Sequence, residues 1–168
     1  GARASMLRAL AGPVSEKAPE LSPRLLAMVC RAYSFRSCCV GSMLEAVSAR
    51  CADAVEGFSA KDAVDTAESF RRLMYPAARF FSALEARLAS GEPGLDRGLA
   101  PREVAVLARA FAQLGHSSPR VARALKSFYL DALASSPRPA TKEEDFMARS
   151  LLVLECPAPR NRHPGKSA

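Results

Sequence analysis

Nine basic side chains are spaced as phosphate-binding groups. Arg24, Arg31, Lys61, Arg72, Arg102 and Arg109 recur two, nine or thirteen residues after a predicted helix start. Arg120, Arg123 and Lys126 follow at three-residue intervals. Offsets of two, nine and thirteen fall within about 40° of one another on a helix of 3.6 residues per turn, so they share one face. The remaining residues at these offsets are Phe35, Glu68 and Gln113. A row of such cations neutralises phosphates and releases condensed counterions, and guanidinium planes stack on unpaired bases. An ordinary solvated helix face, which also carries charge, is the rival reading.

No catalytic or metal centre assembles from the remaining polar residues. The two histidines, His116 and His163, lack the Cys or carboxylate spacing of a zinc site. Cys38 and Cys39, taken as neighbours on one helix, cannot easily face one tetrahedral ion together. The stretch GEPGLDRG (91–98) lacks the Lys-Ser/Thr ending and the preceding strand of a phosphate-cradling loop. Glu143, Glu144 and Asp145 fall in the first turn of a predicted helix, where they complement its dipole. The expectation is a protein that is not an enzyme, with no cofactor, metal or small-molecule substrate.

The elements that must carry the basic stripe are repeated. SPRLLAMVCRAYSF, SAKDAVDTAESFRR and APREVAVLARAFAQ fall into register at Ser22, Ser59 and Ala100, and TKEEDFMARSLLVL joins them more weakly at Thr141. The spacings are 37, 41 and 41 residues (59−22, 100−59, 141−100), within the range of helical-hairpin arrays. Eleven residues into each unit comes Tyr33, Phe70, Phe111 or Leu152. Ser22, Ser59 and Thr141 suit N-caps, and Pro23 and Pro101 suit the first helical position. A second apolar stripe follows in each unit: Val40 to Val55, Phe80 to Leu88, and Val121 to Leu133. No stretch alternates as a strand does.

These patterns predict an all-α fold, a short α-solenoid of about three helical hairpins with incomplete units at both ends. The repeat domain covers 21–155, with units near 21–58, 59–98 and 99–140 and a half unit at 141–155. Residues 1–20 form an N-terminal segment in which Met6, Leu7 and Leu10 mark a remnant helix of a preceding repeat near 1–12. Residues 156–168 form a Pro-rich basic tail, expected to be extended or disordered. Breaks between units fall at GEPGLDRG and at SSPRPA (135–140).

The 168 residues carry a net charge of +7, unevenly spread. Residues 100–140 hold six basic and two acidic side chains, whereas 59–99 hold six of each. The local excess suits an anionic partner. No apolar run approaches the roughly 18–20 residues that span a bilayer, so no membrane insertion is expected. The five cysteines show no paired spacing and suggest reduced, mostly buried thiols. Arg3 and Arg8 precede the first acid, Glu16, in an Ala- and Ser-containing opening compatible with the remainder of an organelle presequence.

The stretch LAPREVAVLARAFAQLGHSSPRVARAL, with Ala110-Phe111 followed by Leu114-Gly115-His116, resembles the repeats of octotricopeptide and heptatricopeptide proteins, which are related to RAP-associated repeats. Unit three matches best. Unit one has Ala32-Tyr33 instead, and unit two has Ser69-Phe70 with no Gly-His turn. The resemblance implies a short organellar helical-repeat protein without a RAP domain, located in the mitochondrial matrix or alternatively a plastid. It also implies a non-catalytic RNA-binding scaffold, above all a mitoribosomal protein contacting rRNA and neighbouring proteins of a large assembly. The alternative is a protein-interaction subunit of another organellar complex, such as a respiratory-chain or ATP synthase complex, that binds no RNA.

Overall fold

The computed structural model describes residues 2–90, 95 and 99–135. Among these, all regular structure is helical: α1 (Ala2–Lys17), α2 (Pro23–Phe35), α3 (Gly41–Asp53), α4 (Ala60–Arg72), α5 (Ala78–Ser90), α6 (Pro101–Gln113) and α7 (Pro119–Ala134). Single 3-10 turns at Ala18–Glu20 and Val55–Gly57 lead into α2 and α4.

Local chemistry sets the helix starts. The Ser22, Ser59 and Ser118 hydroxyls accept from the backbone N–H of Leu25, Asp62 and Val121 at 3.4, 3.1 and 3.1 Å. Ala100 has no hydroxyl to offer. There the Glu103 carboxylate reaches back to the Ala100 N–H at 2.9 Å. Either device satisfies a donor that the first turn leaves without a helical partner.

The helix ends repeat more faithfully than the sequence does. Ser37, Met74 and Gly115, each fifteen residues into its unit (37−22, 74−59, 115−100), adopt φ of 49°, 51° and 78°. The next residue then donates its N–H to the carbonyl five positions back: Cys38 to Tyr33 (3.0 Å), Tyr75 to Phe70 (2.9 Å) and His116 to Phe111 (2.8 Å). This is a Schellman cap, a left-handed residue that turns the chain while satisfying terminal carbonyls. Only the third unit places glycine there. Ser37 and Met74 adopt the same conformation with a Cβ attached, which costs about 1–2 kcal/mol each.

The helices pack in two rows. α2, α4 and α6 lie side by side in one, α1, α3, α5 and α7 in the other, with α2 against α3 and α6 against α7 joining them. Contacts between α2 and α4 advance together along both helices (Arg24 with Asp62, Arg31 with Asp65, Ser34 with Ser69), so the two run parallel. Glu68 with Arg109 and Arg71 with Gln113 show the same for α4 and α6. Buried rings cross the core from Phe70 to Phe80 (5.5 Å between centroids), Phe80 to Phe81 (5.3 Å) and Phe81 to Phe111 (5.0 Å). Such tilted and edge-on pairs stabilise beyond the area they bury.

Three expectations change. Cys38 and Cys39 lie in the connection after α2, not on a helix, because the cap at Ser37 has already turned the chain. Val55 belongs to a 3-10 turn, since α3 ends at Asp53. The N-terminal helix runs to Lys17 rather than ending near residue 12, continuing through Pro13. Ala9 and Pro13 are exposed there, so water can take the carbonyl that proline leaves without a donor. Its Ala11 is buried, and the Tyr33 hydroxyl donates to the Leu7 carbonyl at 2.8 Å, so α1 is integrated into the fold. Of GEPGLDRG only Leu95 is described, and it is buried. The expected half unit at 141–155 and the tail at 156–168 lie outside the described residues.

The caps can be tested by glycine exchange. Met74→Gly and Ser37→Gly should each raise unfolding free energy by up to about 1 kcal/mol, while Gly115→Ala should lower it by about 1 kcal/mol. A Cβ on Gly115 would meet no atom within 4 Å, so only backbone strain is at stake. Urea unfolding of the three variants reads this directly. Loss of stability in both glycine variants would show that these turns are not strained.

Candidate nucleic-acid interface

The nine basic residues form two separate groups. Arg24, Arg31, Lys61, Arg72, Arg102 and Arg109 lie on α2, α4 and α6; Arg120, Arg123 and Lys126 lie on α7. Arg102 is in the first turn of α6 and Arg120 in the first turn of α7, and the two helices form a hairpin. They therefore sit near opposite ends, about 16 Å apart along the helix axis at 1.5 Å per residue.

In the first group, adjacent helices answer the cations with carboxylates. Arg24 lies 3.9 Å from Asp62 and Arg31 lies 3.6 Å from Asp65, long contacts between exposed guanidiniums and partly buried carboxylates. Glu68 stands among three guanidiniums. It accepts from Arg71 at 2.6 and 2.7 Å and from Arg72 at 3.1 Å, and the Arg109 Nη2 atom lies 3.6 Å away. Arg71 also donates to the Gln113 side chain at 2.8 Å, tying α4 to α6. Burial pushes the Glu68 carboxyl up, but the hydrogen bonds from Arg71 and Arg72 and the charge of Arg109 outweigh it and hold it below its ordinary value. Three cations around one anion leave this cluster at +2. Lys61 and Arg102 are exposed and have no ion-pair partner among the described residues.

No family model, curated protein or solved structure matches this chain.

The second group is less compensated. Arg120 and Arg123 are exposed and carry no ion pair among the described residues. They line a shallow groove of about 370 Å3 between α5 and α7 with Ser127 and Phe128. Glu85, the acid on α5, accepts from the Ser118 hydroxyl at 2.6 Å and makes no ion pair with either arginine. The two guanidiniums make the rim of this groove cationic, while the Val121 N–H at the helix start is already taken by the Ser118 hydroxyl. A second groove of about 330 Å3, lined by Arg31, Lys61, Asp65, Glu68 and Arg72, carries both signs of charge.

Sequence spacing brought out the cations of the stripe but missed Arg71, Asp62 and Asp65. Arg71 was readable, being three residues after Glu68, a spacing that places both on one face. The roles of Asp62 and Asp65 follow only from the docking of α4 on α2. His116 is structural: its Nε2 lies 2.6 Å from the Pro76 carbonyl oxygen and its ring stacks on Phe81 at 4.8 Å. The four described cysteines are free thiols. A hydrogen bond with Cys30 and burial push the Cys51 thiol far above its ordinary value, so no reactive thiolate forms there. Among the described residues no group of three or more His, Cys, Asp or Glu is placed to hold a metal ion, and no helix is long and apolar enough to cross a membrane.

Glu68 carries a pH signature. Its folded carboxyl lies below the unfolded one, so the cluster stabilises the fold at neutral pH. That contribution is lost as pH falls through the folded value, on the acid side of an ordinary glutamate. Glu68→Gln should cost about 1–3 kcal/mol at pH 7, because it leaves half-buried guanidiniums without their anion. The gap between variant and wild type should close as urea unfolding is repeated at falling pH. A gap independent of pH would mean that packing, not charge, explains the loss.

Proposed function

We propose that this chain is a non-catalytic RNA-binding scaffold, built as a short α-solenoid and working within a mitochondrial ribonucleoprotein, above all as a mitoribosomal protein on rRNA. The observation that carries this reading is the exposed pair Arg120 and Arg123, with no ion-pair partner among the described residues, in the first turns of α7. Phosphate contacts of this kind position an RNA backbone without reading its sequence. The side-by-side parallel packing of α2, α4 and α6 supports the solenoid, since a hairpin array stacks like helices on like. Location in the mitochondrial matrix rests on the resemblance to organellar helical-repeat proteins and on the acid-poor opening of the sequence.

A protein-interaction subunit without RNA is the second reading. It is favoured by exposed apolar side chains on α2, Met28 and Phe35 among them.

The two readings separate by RNA titration of the full chain, followed by fluorescence anisotropy. Arg120→Glu/Arg123→Glu should weaken binding of single-stranded RNA and reduce the slope of log affinity against log salt by about 1–2. Glu68→Gln adds one positive charge to the other group. It should tighten RNA binding if the α4 face also touches RNA and leave it unchanged if contact is confined to α7. Arg109 is a poor choice for reversal, because its Nε is buried and it helps hold Glu68. RNA binding that is absent at low salt, or indifferent to the α7 reversal, would overturn the reading.

A further inference from the structure

α4 and α6 each receive the preceding helix of the row at a set of registers along one side. On α4 these are three, six and ten residues after Ser59. Asp62 and Asp65 meet Arg24 and Arg31 of α2, and Ser69 accepts from Ser34 at 3.2 Å. On α6 they are nine and thirteen residues after Ala100: Arg109 lies 3.6 Å from Glu68 of α4, and Gln113 accepts from Arg71. Apart from Arg31 at the ninth, the same registers on α2, counted from Ser22, hold Leu25, Met28, Ala32 and Phe35. All four are exposed, Met28 at 57% and Phe35 at 69%. The side of α2 that corresponds to a receiving face is therefore apolar and uncovered among the described residues.

The 3-4-3 spacing of these four residues is that of a seam on which a second helix packs. Met6 and Leu7 of α1 extend it into a shallow groove of about 670 Å3, whose charged lining residues are Arg31 and Arg36, with no carboxylate. No acid occurs between Pro23 and Phe35. Arg36 lies 5.3 Å over the Phe35 ring and has no ion pair among the described residues.

We infer that this groove between α1 and α2 binds an amphipathic helix of a partner protein, its apolar seam on Met28 and Phe35 and its flanking carboxylates paired with the guanidiniums beside them. Charge chooses the occupant. Arg31 already has Asp65 beside it, but an isologous contact with a second copy would set Arg36, which has no ion pair among the described residues, against its own copy. An acidic helix repeats what α4 already does on the opposite side of α2, where Asp62 and Asp65 answer Arg24 and Arg31. Laying an amphipathic helix into an apolar groove is a general mode of peptide recognition. The inference goes beyond the RNA reading and does not depend on it.

The test uses the full chain and two fluorescent designed helical peptides of about five turns with the same apolar i, i+3, i+7 seam, one flanked by Glu and one by Lys. The Glu peptide should bind saturably and at least about tenfold more tightly than the Lys peptide. Phe35→Glu, at an exposed site, should abolish binding, and Arg36→Glu should erase most of the preference. Circular dichroism of both variants should match the parent. No binding of the Glu peptide, equal affinity for both peptides, or indifference to Phe35→Glu would overturn the inference. So would a concentration-dependent dimer in sedimentation that Phe35→Glu dissolves, since the groove would then belong to a second copy. Loss of RNA binding in Phe35→Glu would assign the groove to nucleic acid instead. Unchanged RNA binding beside lost peptide binding is the expected result.

Discussion

In α2, α4 and α6, the residue that anchors the helix in the core also accepts the hydrogen bond that ends it. Tyr33, Phe70 and Phe111 are fully or almost fully buried. Their carbonyls receive the N–H of Cys38, Tyr75 and His116, each beyond a left-handed residue. Packing of the ring and direction of the outgoing chain are thus fixed at one residue. Shifting the anchor by one position would rotate the ring out of the core and also misdirect the next helix. The parallel packing of α2, α4 and α6, and the charge contacts between them, follow from this coupling.

Helix starts and buried stripes were legible because they depend on local chemistry. Ser22, Ser59, Pro23 and Pro101 announce helix starts from one or two residues each. Cys38, Tyr75 and His116 stand at the same place in their units, yet their side chains have nothing in common. What they share is a backbone hydrogen bond. Nor do Ser37 and Met74 advertise a left-handed conformation, which sequence reading expects of glycine. The adjacent cysteines looked helical for the same reason, since the turn that displaces them has no side-chain signature.

The candidate interface was legible in its cations and hidden in its anions. Counting along one helix finds Arg24 and Arg31, but not the carboxylates that a parallel neighbour brings to them. Asp62 and Asp65 become their partners only because α4 lies beside α2 at that register. The result is a face of mixed charge at the centre of the molecule, with uncompensated arginines on α7 and an apolar side on α2. Those two extremes lie on different helices that the ion-paired α4 keeps apart, so one molecule can present an anion-binding surface and an apolar groove without either encroaching on the other.

Within each row every helix touches only the helices beside it, so stability is passed along the molecule like tension along a chain of links. A helix with neighbours on both sides opens only after one of them has let go, whereas an end helix opens alone. Amide hydrogens should therefore exchange slowest in α3, α4 and α5, which are held on both sides in their rows. Exchange should quicken step by step toward α1, where the exposed apolar groove lies. A ligand seated in that groove would slow exchange most in the helices that are otherwise first to open.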